Sequence, residues 1–149
     1  MGKSEKQMDK EHERNQRIID TAFRLFVEKK IEAVSMDEVA KEAGVGRATL
    51  FRCYNNKTEL AIAVCASKWK AYLDKLDEAR PISSIHDIPA IGRFIFTLDS
   101  YIGMYQNHKD LLQYNDNFNN YITHQTVRQE ELANFAELES ELPVCKFKF

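Results

Sequence analysis

Apolar residues recur along the chain at the three-to-four-residue spacing of helices, and the elements follow from where that spacing starts and stops. From Arg17 to Lys29, Ile18, Ile19, Ala22, Phe23, Phe26 and Val27 share one face of an amphipathic helix. Phe23 and Phe26 are expected to form the core on which its neighbours rest. Ser35 opens a second helix: with Glu38 it makes a capping box, in which hydroxyl and carboxylate each satisfy an orphan backbone N–H. Met36, Val39, Ala40 and Ala43 give that helix one apolar face. Gly44 is placed to let the chain leave in the left-handed conformation, with Val45 packing back over the turn. A third helix, Arg47 to Asn55, has only Leu50 and Tyr54 as anchors, and spreads Arg47, Ala48, Thr49, Phe51 and Arg52 over the rest of its circumference.

Asn56 and Glu59 repeat the cap-plus-acid signature. From Lys57 an apolar pattern runs through Leu60, Ala61, Val64, Trp69, Tyr72, Leu73 and Leu76 to Arg80, where Pro81 stops it. Pro81 to Pro89 is a linker by composition, with Asp87 as cap of the next helix. Further helical patterns cover Ile91 to about Gln106, Lys109 to about Gln125 and, more weakly apolar, Val127 to Leu142. Only Val144 to Phe149 alternates like a strand. Met1 to Arg14 mixes both charge signs with almost nothing apolar and reads as a solvated arm.

Composition narrows this picture. At 149 residues and 44% hydrophobic, the chain suffices for one or two small domains with a real core. No apolar run approaches membrane-spanning length and the charged N-terminus lacks a signal peptide's apolar segment, so a cytoplasmic protein without membrane contact is expected. Cys53, Cys65 and Cys145 make an odd count without metal-ligand spacing, so the thiols are expected reduced, with Cys65 in the core. His12, His86, His108 and His124 show no pairing at helical spacing, and no H-E-x-x-H, C-x-x-C or G-x-S-x-G pattern occurs. Asp37–Glu38 and Glu130–Glu131 are adjacent helical residues that diverge in direction and form no acid/base dyad. No catalytic residue, metal site or cofactor is expected, and the chain does not read as an enzyme.

The net charge of −2 hides a segregation. Residues 1–57 hold 12 Lys/Arg against 10 Asp/Glu, the remainder 9 against 13, which gives a mildly basic head on an acidic body. From Val45 to Lys57 there are three basic residues and no acidic one. A thinly anchored, basic helix behind a tight glycine turn is suited to lie against phosphates in a helix-turn-helix arrangement.

The run from Arg17 to about Val64, with R-I-I-D-T-A-F-R-L-F, then V-S-M-D-E-V-A-K-E-A-G-V, then R-A-T-L-F-R-C-Y-N-N-K-T-E-L, resembles the DNA-binding domain of the tetracycline-repressor (TetR) family of transcriptional regulators. The resemblance implies an all-α protein in two parts: a three-helix, homeodomain-like helix-turn-helix domain over residues 1–60, then a helical ligand-binding and dimerisation domain over 61–149. It implies a homodimeric regulator, a repressor released from a palindromic double-stranded DNA operator when a small apolar or aromatic effector binds. By the same resemblance Arg47, Ala48 and Thr49 face base edges, Phe51 and Arg52 flank the groove, and Ser35 and Lys57 hold phosphates. The aromatic body residues Trp69, Tyr72, Phe94, Leu98, Tyr101, Phe118 and Tyr121 become the effector site, and the long helix from Lys57 the link between effector and DNA. Read without the resemblance, the aromatics are ordinary core, and the fold also suits a protein-interaction or sensor module without specific DNA binding.

The sequence departs from the family pattern in three places. Lys30 and Ile31 stand where a glycine usually follows the first helix, Phe51 where Tyr is common, and Cys53 where Tyr or His is common. The latter two remove phosphate donors. Only 92 residues follow Lys57, so the body is expected to be short or truncated relative to the family, with Val127 to Leu142 taking over dimerisation.

Overall fold

A computed structural model of the chain describes residues 5–79 and 89–124, and every regular element among them is a helix. The order is α1 (Glu5–Lys29), α2 (Met36–Glu42), α3 (Arg47–Cys53), α4 (Lys57–Ala79), α5 (Ala90–Asn107) and α6 (Lys109–His124). The expected linker with Asp87, the helix at Val127 to Leu142 and the strand-like end lie outside the described residues.

The head is built on α1. Ile18, Ala22, Leu25 and Phe26 are buried on its inner face, and Ile31 and Val34 from the following turn join them. Phe26 has the core role expected of it, whereas Phe23 is half-buried and packs on Tyr114 of α6, ring centres 5.3 Å apart. The turn needs a left-handed residue, and Lys30 supplies it at φ 65°. This is the position where a glycine was missed, and the chain accepts the cost of a side chain there.

α2 begins and ends as its sequence dictates. Ser35 Oγ accepts the Glu38 N–H at 3.1 Å. Gly44, at φ 65°, closes the helix with the Val45 N–H on the Ala40 carbonyl (3.0 Å) and its own N–H on the Lys41 carbonyl (3.2 Å). That is the paired-bond termination a left-handed glycine permits. Half of the expected capping box is used otherwise: the Glu38 carboxylate takes Lys29 Nζ at 2.6 Å, tying α2 to α1. A second tie joins Arg24 to Glu42 at 3.2 Å.

Two expectations need correction. The stretch expected as a solvated arm is helical from Glu5 onward. It carries no apolar face, but its Glu, Lys, Gln and Arg residues are good helix formers, and extending a helix already anchored by Ile18 to Phe26 requires no new nucleus. The third helix stops at Cys53 rather than Asn55, because Tyr54 turns extended (φ −140°) to bury its ring and donate its hydroxyl to Asn15 Oδ1 on α1 at 2.7 Å.

The body is continuous with the head. Along α4, Leu60, Ala61, Val64, Cys65 and Trp69 are buried, as expected of Cys65. α6 packs on both α1 and α4 through Tyr114, Phe118 and Tyr121, all buried. Tyr114 donates to the Ala61 carbonyl at 2.6 Å, and the Asn117 amide, buried, donates to the Phe26 carbonyl at 3.0 Å. Burial pushes the Tyr114 hydroxyl well above its usual pKa, so it stays a donor.

Candidate nucleic-acid interface

Helix α3 is held from one side only. Leu50 is fully buried and Tyr54 nearly so, while Arg47, Ala48, Phe51 and Arg52 are exposed and Thr49 is half-exposed. Four of the five side chains expected at the groove therefore lie open to solvent on a helix whose opposite face is fixed in the core. No carboxylate stands on α3. The helix starts at Gly46, whose N-cap position carries no side-chain hydrogen bond, so nothing covers the approach to Arg47 and Ala48.

Arg47 is not idle. Its guanidinium pairs with Asp37 of α2 at 3.1 Å and lies over the Phe51 ring, 5.4 Å from its centre. The pair is exposed on both sides, so solvent screens it and it holds the arginine only weakly. Asp37 is a residue that sequence reasoning missed. Ten positions separate it from Arg47, and only the turn at Gly44 brings α2's first turn over the start of α3. Phe51, lacking the hydroxyl of a tyrosine, serves as a platform for that guanidinium.

The two residues assigned to phosphates fare differently. Ser35 is exposed at the α2 N-terminus, with its hydroxyl engaged as cap. Lys57 turns inward: its ammonium donates to the carbonyls of Glu32 and Val34, both at 3.0 Å, and lies 5.7 Å from the Tyr121 ring centre. Desolvation lowers its pKa from the usual 10.5. Two of its three N–H groups are thus committed to the α1–α2 turn, and Lys57 acts in this structure as a strut rather than a free cation. At the same helix start, Asn56 Oδ1 caps the Glu59 N–H at 2.8 Å, and the Glu59 carboxylate takes the backbone and side-chain N–H groups of Asn55.

The residues expected to bind an effector do not converge. Trp69, Tyr72, Phe118 and Tyr121 are buried in the core, Tyr101 is half-buried, and Phe94 and Leu98 face solvent. Phe94 and Leu98 sit on the face of α5 turned away from α4, which the helical period alone did not reveal because α5 is apolar on two sides. Concave space lies instead on either side of Tyr72 and His108, whose rings meet edge-on at 5.0 Å. One groove of about 460 Å³ runs from Phe23 and Lys68 to the α5–α6 junction; a second of about 280 Å³ lies between α4 and α5, against Leu76, Phe96 and Ser100. Both share Lys75, Asn107 and His108, none of which stood out in the sequence.

Residues 18–64, which span this whole head, match the family of bacterial regulatory proteins named for tetR. The chain belongs to the tetR family. Its similarity extends to helix-turn-helix transcriptional regulators of Staphylococcus aureus: one from strain MRSA252 is 29% identical over 125 residues, 83% of this chain and 65% of that protein. Another, from strain bovine RF122, is 32% identical over 68 residues, 46% of this chain and 37% of that protein. The chain thus spans between about a third and two thirds of the length of these relatives. The same fold occurs in a TetR-family transcriptional regulator from Haemophilus influenzae, with a TM-score of 0.54 at 18% identity, covering 86% of this chain and 71% of that one. Family kinship sets an enzymatic reading aside. Among the described residues no helix is long and apolar enough to cross a membrane.

Proposed function

We propose that this tetR-family protein is a DNA-binding transcriptional regulator, a repressor whose α3 enters the major groove of a palindromic operator as one half of a homodimer. The observation that carries the reading is the one-sided anchoring of α3: Leu50 and Tyr54 fix its inner face while Arg47, Ala48, Phe51 and Arg52 stand clear. Arg47 exchanges Asp37 for the O6 and N7 of a guanine, Ala48 and Thr49 offer methyl groups to a thymine, and Arg52 reaches the phosphates. Two linked copies are required, since palindromic half-sites lie about 34–36 Å apart.

Release by an effector uses the grooves at Tyr72 and His108. They adjoin α4, whose first turn braces the α1–α2 turn through Lys57, and a ligand that favours one setting of α4 shifts the head between settings that fit and do not fit DNA. Selection of bound fragments from a random duplex pool tests the DNA part. An inverted repeat should emerge, with guanine at one position of each half-site, and recovery of no enriched sequence would leave the reading without support.

A further inference from the structure

Helix α5 is apolar on two opposite sides, and only one side is covered. Met104 is buried, and Phe96, Ser100 and Gly103 line the groove against α4. On the other side Ile91, Phe94, Ile95, Leu98, Ile102 and Tyr105 are between 46% and 66% exposed. At 3.6 residues per turn these six fall within a sector of about 100° and form a stripe about 21 Å long. The helix's two charged residues, Arg93 and Asp99, fall outside that sector.

A stripe of this kind exceeds what a monomer ordinarily leaves in water. Six side chains exposed to this degree present on the order of 600 Å² of apolar surface, at the upper end of what monomers show and near the roughly 800 Å² per partner of a stable interface. Its arrangement is also self-complementary. Leu98 is the midpoint, with Ile91 and Tyr105 seven residues away on either side and Phe94 and Ile102 four residues away. An isologous two-fold contact demands this property: where residue i meets j, j must also meet i. With no charge in the stripe, like surfaces meet without repulsion.

We propose that a second copy of this chain docks on this stripe, α5 lying antiparallel to its counterpart about a two-fold axis at Leu98. Leu98 then meets Leu98 of the second copy, Phe94 meets Ile102, and Ile91 meets Tyr105. The proposal rests on the dimeric part of the functional reading and is independent of its DNA part.

The test is the mass of the full chain in solution. Wild type should sediment as a dimer at micromolar concentration, and Leu98→Glu, at an exposed position, should weaken dimerisation at least a hundredfold while circular dichroism shows unchanged helix content. In a Cys53→Ser, Cys145→Ser background, Leu98→Cys should form a disulfide-linked dimer on mild oxidation. Ile91→Cys should link only when mixed with Tyr105→Cys, since two copies of Ile91 would stand about 21 Å apart. These cysteine variants decide the matter if Leu98→Glu fails to fold. A wild type that stays a single chain at every concentration, a dimer indifferent to Leu98→Glu, or a Leu98→Cys chain that does not link would each overturn the proposal. Loss of DNA binding in a wild type that still dimerises through Leu98 would sink the DNA reading and leave this one standing.

Discussion

Arg47 meets Asp37 in the absence of DNA, and the two contacts available to that guanidinium compete. A bidentate pair with guanine is worth about 1–3 kcal/mol of discrimination, against about 0–1 kcal/mol for an exposed ion pair, so the base wins. Arg47→Ala should accordingly cost about 1–3 kcal/mol at the operator and relax preference at one position, measured by competition among single-base operator variants. Asp37→Asn should act in the opposite direction, tightening binding to every sequence by about twofold to fivefold, because it frees Arg47 and removes a negative charge facing phosphate. Lys57 makes a different prediction from the one its place in the family pattern implies. With two N–H groups on the Glu32 and Val34 carbonyls, Lys57→Met should lower the melting temperature and leave the salt dependence of DNA binding nearly unchanged. The Lys29–Glu38 bond sets an acid limit. The hydrogen bond from Lys29 holds the Glu38 carboxyl below its usual 4.5, so its stabilisation is complete above that pH and is lost as pH falls through the depressed folded value. Acid titration of Lys29→Met should lack that component.

Elements show why part of the chain was legible and part was not. α2 and the start of α4 announced themselves through Ser35, Gly44 and Asn56, because caps are local chemistry written in adjacent residues. The αL turn after α1 was legible only as an anomaly. Lys30 occupies it at φ 65°, where a side chain costs about 1–2 kcal/mol, so Lys30→Gly should raise stability by up to about 1 kcal/mol in thermal unfolding. Gly44→Ala should lower it by about 1 kcal/mol through backbone strain alone, since an added Cβ would meet nothing within 4 Å. What stayed hidden was the side of each apolar helix that faces inward. α5 carries two apolar faces, so periodicity put Phe94 and Leu98 beside Trp69 and Tyr72, and only packing against α4 separates them. The partners of Arg47 and Lys57 were hidden for a related reason: they depend on turns that bring distant backbone together.

Across the whole molecule, α6 and α4 make the head and body one mechanical unit. Asn117 holds the Phe26 carbonyl, Tyr114 the Ala61 carbonyl, and the hydroxyls of Tyr121 and Thr58 share a hydrogen bond at 3.0 Å. Asn117→Leu should cost about 1–3 kcal/mol by leaving a buried carbonyl without its donor, read from chemical unfolding. A change of helix setting near Tyr72 and His108 thus has a stiff route to α3. Everything functional depends on α3 presenting its outer face to a duplex. The most direct test is a salt-titrated anisotropy measurement on the selected operator, with wild type, Arg47→Ala and Arg52→Ala side by side. The account predicts affinity that falls with salt, a slope about one unit shallower for Arg52→Ala, and lost base preference for Arg47→Ala. Wild-type affinity and salt slope in both variants, or a wild type that ignores DNA at low salt, would contradict it.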